Sequence, residues 1–182
     1  MRPATGASRM EIVLSRCRLR PFRDGDQASI ARYANNRRVW LNLRDAFPHP
    51  YTRSDADAWV RRVGGQAPPT QLGIEVAGEV AGSIGLTLQE DVHRRSAEIG
   101  YWLGEPFWGR GLMSEAVLAF TAYALATFDV CRLYATVFEW NPASARVLEK
   151  AGYVLEGRLR KSVIKDGQAI DQLLFAYVRE RR

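Results

Sequence analysis

With 182 residues, 47% of them apolar and 25% charged, the chain is long enough for one domain with its own core and too apolar to stay disordered. No apolar run approaches the roughly 18 residues of a membrane helix, and Met1–Met10 lacks the apolar centre of an export signal, so a cytoplasmic protein without a membrane partner is expected. The formal charge of +6 attracts polyanions such as phosphorylated cofactors, but the arginines are spread along the chain, which reads as a solvated surface and not as a nucleic-acid face.

Residues 1–14 carry no periodic pattern and read as a flexible lead-in to a single domain over 15–182. Cys17–Phe22 alternates as a short strand, and Asp24 is placed to cap a helix from about Asp26 to Asn35. Asn42–Tyr51, with Pro48 and Pro50, is a loop. Ser54 is expected to cap a second helix ending near Arg62, which Gly64, Gly65, Pro68 and Pro69 break. Leu72–Val76 and Val80–Gln89 flank a tight turn at Ala77–Glu79, and Ala97–Leu103 is a third strand of the meander. A glycine- and aromatic-rich loop from Gly104 to Gly111 leads into a long helix with Met113, Ala116, Val117, Phe120, Ala124 and Phe128 at helical spacing. Cys131–Phe138 is a strand. Asn141 and Pro142 open another helix as cap and first residue, and Gly152 closes it. Tyr153–Ile164 and Ala169–Val178 are the last strands, joined at Lys165–Gln168. The mixed order argues an α/β domain: one sheet with helices on its faces.

The segment Gly100–Ala116 carries the most chemistry. A strand ends, a loop with Gly109 and Gly111 follows, and a helix begins. Glycines let the backbone approach a ligand, and N–H groups at a helix start favour an anion. Arg110 can add a direct phosphate contact. The spacing is neither that of a P-loop nor that of the dinucleotide fingerprint.

Ile99–Leu103 (Ile-Gly-Tyr-Trp-Leu) followed by Phe107–Ala116 (Phe-Trp-Gly-Arg-Gly-Leu-Met-Ser-Glu-Ala) resembles the acetyl-CoA motif of the GNAT superfamily. Asn141–Tyr153, of the form Asn-x-x-Ser with Glu149, Lys150, Gly152 and Tyr153, is similar to the Rim-type branch of ribosomal-protein N-terminal acetyltransferases, as are Arg18–Phe22 and Pro50–Thr52. Two departures stand out: Trp108, usual in the branch but not in the wider superfamily, and Met113 where Gly or Ala is normal. The resemblance implies a mostly antiparallel twisted sheet of about six or seven strands flanked by about four helices, with acetyl-CoA as cosubstrate. It implies that the Leu103 backbone pairs with the pantetheine amide and that Gly109, Arg110, Gly111, Leu112 and Met113 enclose the pyrophosphate. Asn141 is implied to contact the pantetheine arm, Lys150 to approach the adenosine phosphate unless it is a solvated helix lysine, and the protein to form a homodimer.

In the implied reaction an amine attacks the thioester and CoA thiolate leaves. An α-amine has a pKa near 8, so only about a tenth is free base at pH 7, and a carboxylate suits proton removal. Glu98 shares a strand face with Gly100 and Trp102 and is the first candidate base; Glu139 and Asp45 are alternatives. Ser144, in the first turn after Asn141, is implied as the donor to the leaving sulfur. Cys17 and Cys131 are expected to be buried, reduced thiols; Cys131 has no evident activating partner, which disfavours a covalent thiol mechanism, and with His49 and His93 the two form no metal-ligand spacing. The acceptor is expected to be a protein N-terminal amine or, as alternatives, an aminoglycoside, polyamine or amino acid derivative. A non-catalytic acyl-CoA-binding module and an RNA-binding module are the readings from other classes.

Overall fold

A computed structural model of the protein describes residues 10–179. In chain order it contains β1 (Ile12–Val13), β2 (Arg18–Arg20), α1 (Gln27–Ala34), α2 (Arg37–Trp40), α3 (Arg53–Val63), β3 (Gln71–Val76), β4 (Glu79–Leu88) and β5 (Ser96–Leu103). There follow α4 (Leu112–Thr127), β6 (Arg132–Phe138), α5 (Pro142–Lys150), β7 (Val154–Lys165) and β8 (Gln168–Val178). The strands make one sheet in the order β1-β2-β3-β4-β5-β6-β8-β7. Every pairing is antiparallel except β5–β6. The mixed α/β class is the expected one; the eight strands and five helices exceed the expected number because β1 and α2 are too short to leave a periodic trace.

Local chemistry sets the boundaries. Ala77 and Gly78 both have positive φ, 50° and 87°, as do Asp166 and Gly167, 50° and 73°. Two such residues in a row are the two-residue turn whose twist matches antiparallel strands, so β3–β4 and β7–β8 are tight hairpins. The α3 cap is Thr52, not Ser54: Thr52 Oγ1 accepts from the Asp55 N–H at 3.2 Å, and the Asp55 carboxylate accepts from the Thr52 N–H at 2.7 Å. Ser54 also has an acid three residues on, Asp57, but that carboxylate pairs with Arg53, and it is Thr52 and Asp55 that close the reciprocal box. Likewise α1 starts after Asp26, not Asp24, and Asp26 makes no cap; its carboxylate is held by the buried Arg20 guanidinium at 2.8 and 2.9 Å. Within the stretch 1–14 expected as a lead-in, Ile12 and Val13 pair with Leu19 and Arg18 as β1; residues 1–9 lie outside the described residues.

Helices cover both faces. On one, α4 and α5 pack Val117, Phe120 and Leu148 against Ile84, Leu133 and Phe175. On the other, α1 and α3 pack Ile30, Ala56 and Val60 against Val80. Each large apolar side chain so buried stabilises the fold by about 1.5–3 kcal/mol relative to exposure. Cys17 is buried and Cys131 only half-buried, against expectation, and both are free. Burial first, and then the Glu115 charge, push the Cys17 thiol pKa up, away from a reactive thiolate. Among the described residues no helix is long and apolar enough to cross a membrane.

Parallel neighbours need a long crossover, and α4 supplies it between β5 and β6. Their ladder covers only Ser96–Glu98 against Arg132–Tyr134. Beyond it β5 stays with β4 as far as Leu103, and β6 stays with β8 as far as Phe138. The two strands part, and a wedge opens in the middle of the sheet.

Candidate active site

The wedge exposes backbone. Gly104 N–H donates to the Ala81 carbonyl at 2.7 Å, while Leu103 lies opposite Gly82. In an antiparallel ladder this makes Leu103–Gly82 a non-hydrogen-bonded pair. The N–H and C=O of Leu103, and by the two-residue repeat those of Tyr101, therefore point away from β4 into the wedge. The Leu103 carbonyl accepts from the Trp108 indole N–H at 2.6 Å, which leaves its N–H as the open group. Trp108 thus has a structural task that its place in the motif did not reveal.

The loop before α4 forms one wall. Gly109 and Gly111 have φ of 73° and 78°, values that L side chains rarely adopt. Gly111 precedes α4 without a side-chain cap, and the first helical bond runs from Glu115 N–H to the Gly111 carbonyl. The N–H groups of Leu112, Met113 and Ser114 have no partner inside the helix, as at every helix start, and these residues line a cavity of about 410 Å3. Met113 packs into the main core rather than filling this cavity; its residue is 9% exposed. Arg110 also lines the cavity. The segment before β2 ties the loop down: Arg16 donates to the Arg110 carbonyl, and Ser15 Oγ donates to Glu115 at 2.7 Å.

α5 forms the facing wall. Asn141 Oδ1 accepts from the Ser144 N–H at 3.2 Å, so the residue caps the helix and lines the cavity at once. Lys150 and Arg146 line the same wall. Ser144 Oγ lies 2.9 Å from the Tyr101 hydroxyl. Burial raises the Tyr101 pKa far above its ordinary value, with the Ser144 hydrogen bond opposing this, so the phenol keeps its proton at neutral pH. Tyr101 went unnoticed in the sequence; strand alternation from Glu98 puts it on the other face, toward α5, and that was the available signal.

A second cavity, of about 630 Å3, lies on the α1–α3 side of β5. Phe47, Tyr51, Trp59 and Trp102 give it aromatic walls. Arg44, Glu98, Gly100 and Trp102 line both cavities, and open space surrounds the Cβ position of Gly100. Glu98 is paired with Arg44 from the loop after α2, and that hydrogen bond raises the Arg44 pKa. Of the three candidate bases only Glu98 lies here. Glu139 accepts from the Asp171 N–H at 3.0 Å and pairs with Arg158. Asp45 binds Lys165 Nζ at 2.7 Å, fastening the β7–β8 turn to the loop after α2. Among the described residues no His, Cys, Asp and Glu cluster could hold a metal ion.

Residues 16–154 match the family model described as an acetyltransferase (GNAT) domain. The chain belongs to the GNAT family. It is 35% identical over 103 residues to an uncharacterized N-acetyltransferase, YoaA, of Bacillus subtilis, covering 57% of this chain and 58% of the relative. The ribosomal-protein-serine acetyltransferase of Escherichia coli is 30% identical over 100 residues, 55% of each chain. Spermidine N(1)-acetyltransferase of Escherichia coli is 27% identical over 153 residues, 83% of this chain and 80% of that one. The matched part spans about three fifths of the length of the first of these GNAT relatives. Among solved structures, RimL, a ribosomal L7/L12 alpha-N-protein acetyltransferase in complex with coenzyme A, superposes with a TM-score of 0.79 at 21% identity. That match covers 92% of this chain and 96% of the other, and it establishes the shared fold.

Proposed function

We propose that the protein is an acetyl-CoA-dependent N-acetyltransferase in which a primary amine attacks the thioester directly within a ternary complex. The observation that carries this reading is the meeting of two cavities across β5 at Glu98 and Gly100. One has the open N–H groups of a phosphate loop, the other is free for an acceptor. Acetyl-CoA lies in the first: Gly109, Arg110, Gly111, Leu112 and Met113 enclose its pyrophosphate, the Leu103 N–H pairs with a pantetheine amide, and Asn141 touches the arm. A cytoplasmic location goes with that cosubstrate.

Glu98 holds the ammonium and takes its proton, directly or through water, so that the amine nitrogen attacks the carbonyl carbon. The tetrahedral intermediate then collapses, the C–S bond breaks, the thiolate leaves, and the surplus proton on the new amide nitrogen passes to that thiolate or to water. Ser144 Oγ–H donates to that sulfur, and the Tyr101 hydroxyl at 2.9 Å orients the serine. Holding both substrates in contact supplies much of the acceleration without a covalent enzyme intermediate.

The first acceptor in this reading is a protein N-terminal α-amine, supported by the ribosomal-protein-serine relative. The second is a small amine, supported by the longer span of the spermidine acetyltransferase match. Purified protein with acetyl-CoA and a panel of ribosomal-protein N-terminal peptides and small amines, read by mass spectrometry, tests both. Binding of acetyl-CoA without product from any amine would leave an acyl-CoA-binding module in its place.

A further inference from the structure

The charged side chains lining the acceptor cavity are Arg44, Asp55, Arg62 and Glu98. Asp55 is committed to the α3 capping box, with its carboxylate 2.6 Å from Thr52 Oγ1 and 2.7 Å from the Thr52 N–H. Glu98 is committed to Arg44. Arg62 lies 4.6 Å over the Trp59 ring and has no carboxylate partner among the described residues. The Arg44–Glu98 pair cancels, and the Thr52 groups that hold Asp55 Oδ2 are neutral donors that leave its charge in place. Once an ammonium takes Glu98, two guanidinium groups face the single charge of Asp55, which is unfavourable for the further ammonium groups of a polycation.

Arg44 holds a telling position. It comes from the loop after α2, its side chain is 71% exposed, and that of Glu98 is 19% exposed. A guanidinium on a long, mostly solvated stem can leave, whereas the strand-borne carboxylate stays. We propose that Arg44 occupies the ammonium position of the acceptor, that a singly charged amine displaces it from Glu98, and that this exchange restricts the enzyme to monoamines and rejects polyamines. This deepens the acetyltransferase reading and rests on it.

The exchange balances charge. One cation leaves Glu98 and one arrives, while the displaced guanidinium stays at the cavity mouth with Arg62. An acceptor with a carbonyl beside its amine, as in a peptide N-terminus, gives that guanidinium a new hydrogen-bond acceptor. Spermidine offers it only further positive charge. Arg44 is thus a specificity-determining residue, separable from the proton transfer assigned to Glu98.

The test compares wild type, Arg44→Met and Arg44→Lys with two probes, a serine-initiated peptide amide and spermidine. Binding in the presence of CoA is measured by calorimetry and transfer from acetyl-CoA by kcat/KM. Wild type is expected to prefer the peptide. Arg44→Met frees Glu98 and removes one positive charge, so its spermidine affinity should rise by about tenfold or more, with the gain in KM rather than kcat. Arg44→Lys keeps the charge and should keep the wild-type preference. Wild type that binds spermidine as tightly as the peptide overturns the proposal. So does Arg44→Met with an unaltered ratio of spermidine to peptide affinity. The binding arm is independent of turnover, so failure of the transferase reading shows separately, as no product from either probe.

Discussion

Glu98 and Tyr101 sit three residues apart on β5 and so face opposite layers of the molecule. One side chain looks into the cavity assigned to the amine, the other reaches the helix that carries Ser144. In the proposed reaction a proton leaves the amine on one face while the donor to the sulfur stands on the opposite face. Replacing Glu98 by Gln should leave acetyl-CoA affinity intact and slow transfer by about 10²-fold at neutral pH. The loss should shrink as the pH rises through about 8, where the acceptor arrives deprotonated; a wild-type profile from pH 6 to 9 would return Glu98 to a structural role. Tyr101→Phe removes the hydroxyl 2.9 Å from Ser144 Oγ. Its rate defect should be smaller, within about tenfold, and should not add to that of Ser144→Ala, because both act on one hydrogen-bonded unit. Single- and double-variant kinetics with one good acceptor decide this. Of these residues the sequence pointed to Glu98, two residues before Gly100 on the same strand face, and, through the family resemblance, to Ser144, three residues after Asn141. It could not disclose Arg44, whose partner lies 54 residues away, and for Tyr101 it offered only the strand alternation, because Ser144 lies 43 residues away and meets it only when β5 and α5 are in place.

Elements whose ends are set by local chemistry were legible, and those set by distant partners were not. The α5 start at Asn141–Pro142 and the Asp166–Gly167 turn of the β7–β8 hairpin follow from residues within a few positions. The α1 start does not, because Asp26 is drawn off its capping role by Arg20 from β2. The α3 cap lies between these cases: Thr52 and Ser54 look alike, each with an acid three residues on, Asp55 and Asp57, and only the structure shows that Thr52 and Asp55 close the box. Thr52→Ala should therefore lower stability by about 1 kcal/mol, measured by urea unfolding, while Ser54→Ala should have little effect. At the α4 start, Gly111 has φ of 78°, and a Cβ there would stand 3.4 Å from the Arg16 guanidinium. Gly111→Val should cost about 1–3 kcal/mol of backbone strain and abolish stabilisation by acetyl-CoA. A folded variant that keeps the wild-type ligand-induced rise in melting temperature would remove the loop from the cofactor site.

For the whole molecule, acetyl-CoA at about 100 times its dissociation constant should add about 2.7 kcal/mol to stability, a rise visible in thermal unfolding. Stability should also fall in alkali. Burial pushes the Tyr51 and Tyr153 pKa values up to about 12, against about 10 in an unfolded chain. A raised pKa means that the unfolded state gives up its proton first. The contribution is complete below about pH 10 and is lost as the pH climbs toward 12. Urea midpoints between pH 9 and 12 should drop accordingly, and Tyr153→Phe should flatten the curve.

The short β5–β6 ladder has a mechanical consequence. Five strands, β1 to β5, form one leaf of the sheet, and β6, β8 and β7 form another; the ladder between them covers Ser96–Glu98 and Arg132–Tyr134, with Cys131 N–H also donating to the Arg95 carbonyl. In the proposed complex a pantetheine arm laid into the gap beyond this short ladder would span both leaves. Amide hydrogens of Ala97, Glu98, Leu133 and Tyr134 should then exchange more slowly with acetyl-CoA bound, while those deep in the β3–β4 pairing, already locked, change little. Under the proposed function the cosubstrate would then carry load as well as an acetyl group, and product release would return the short ladder to its unbraced state.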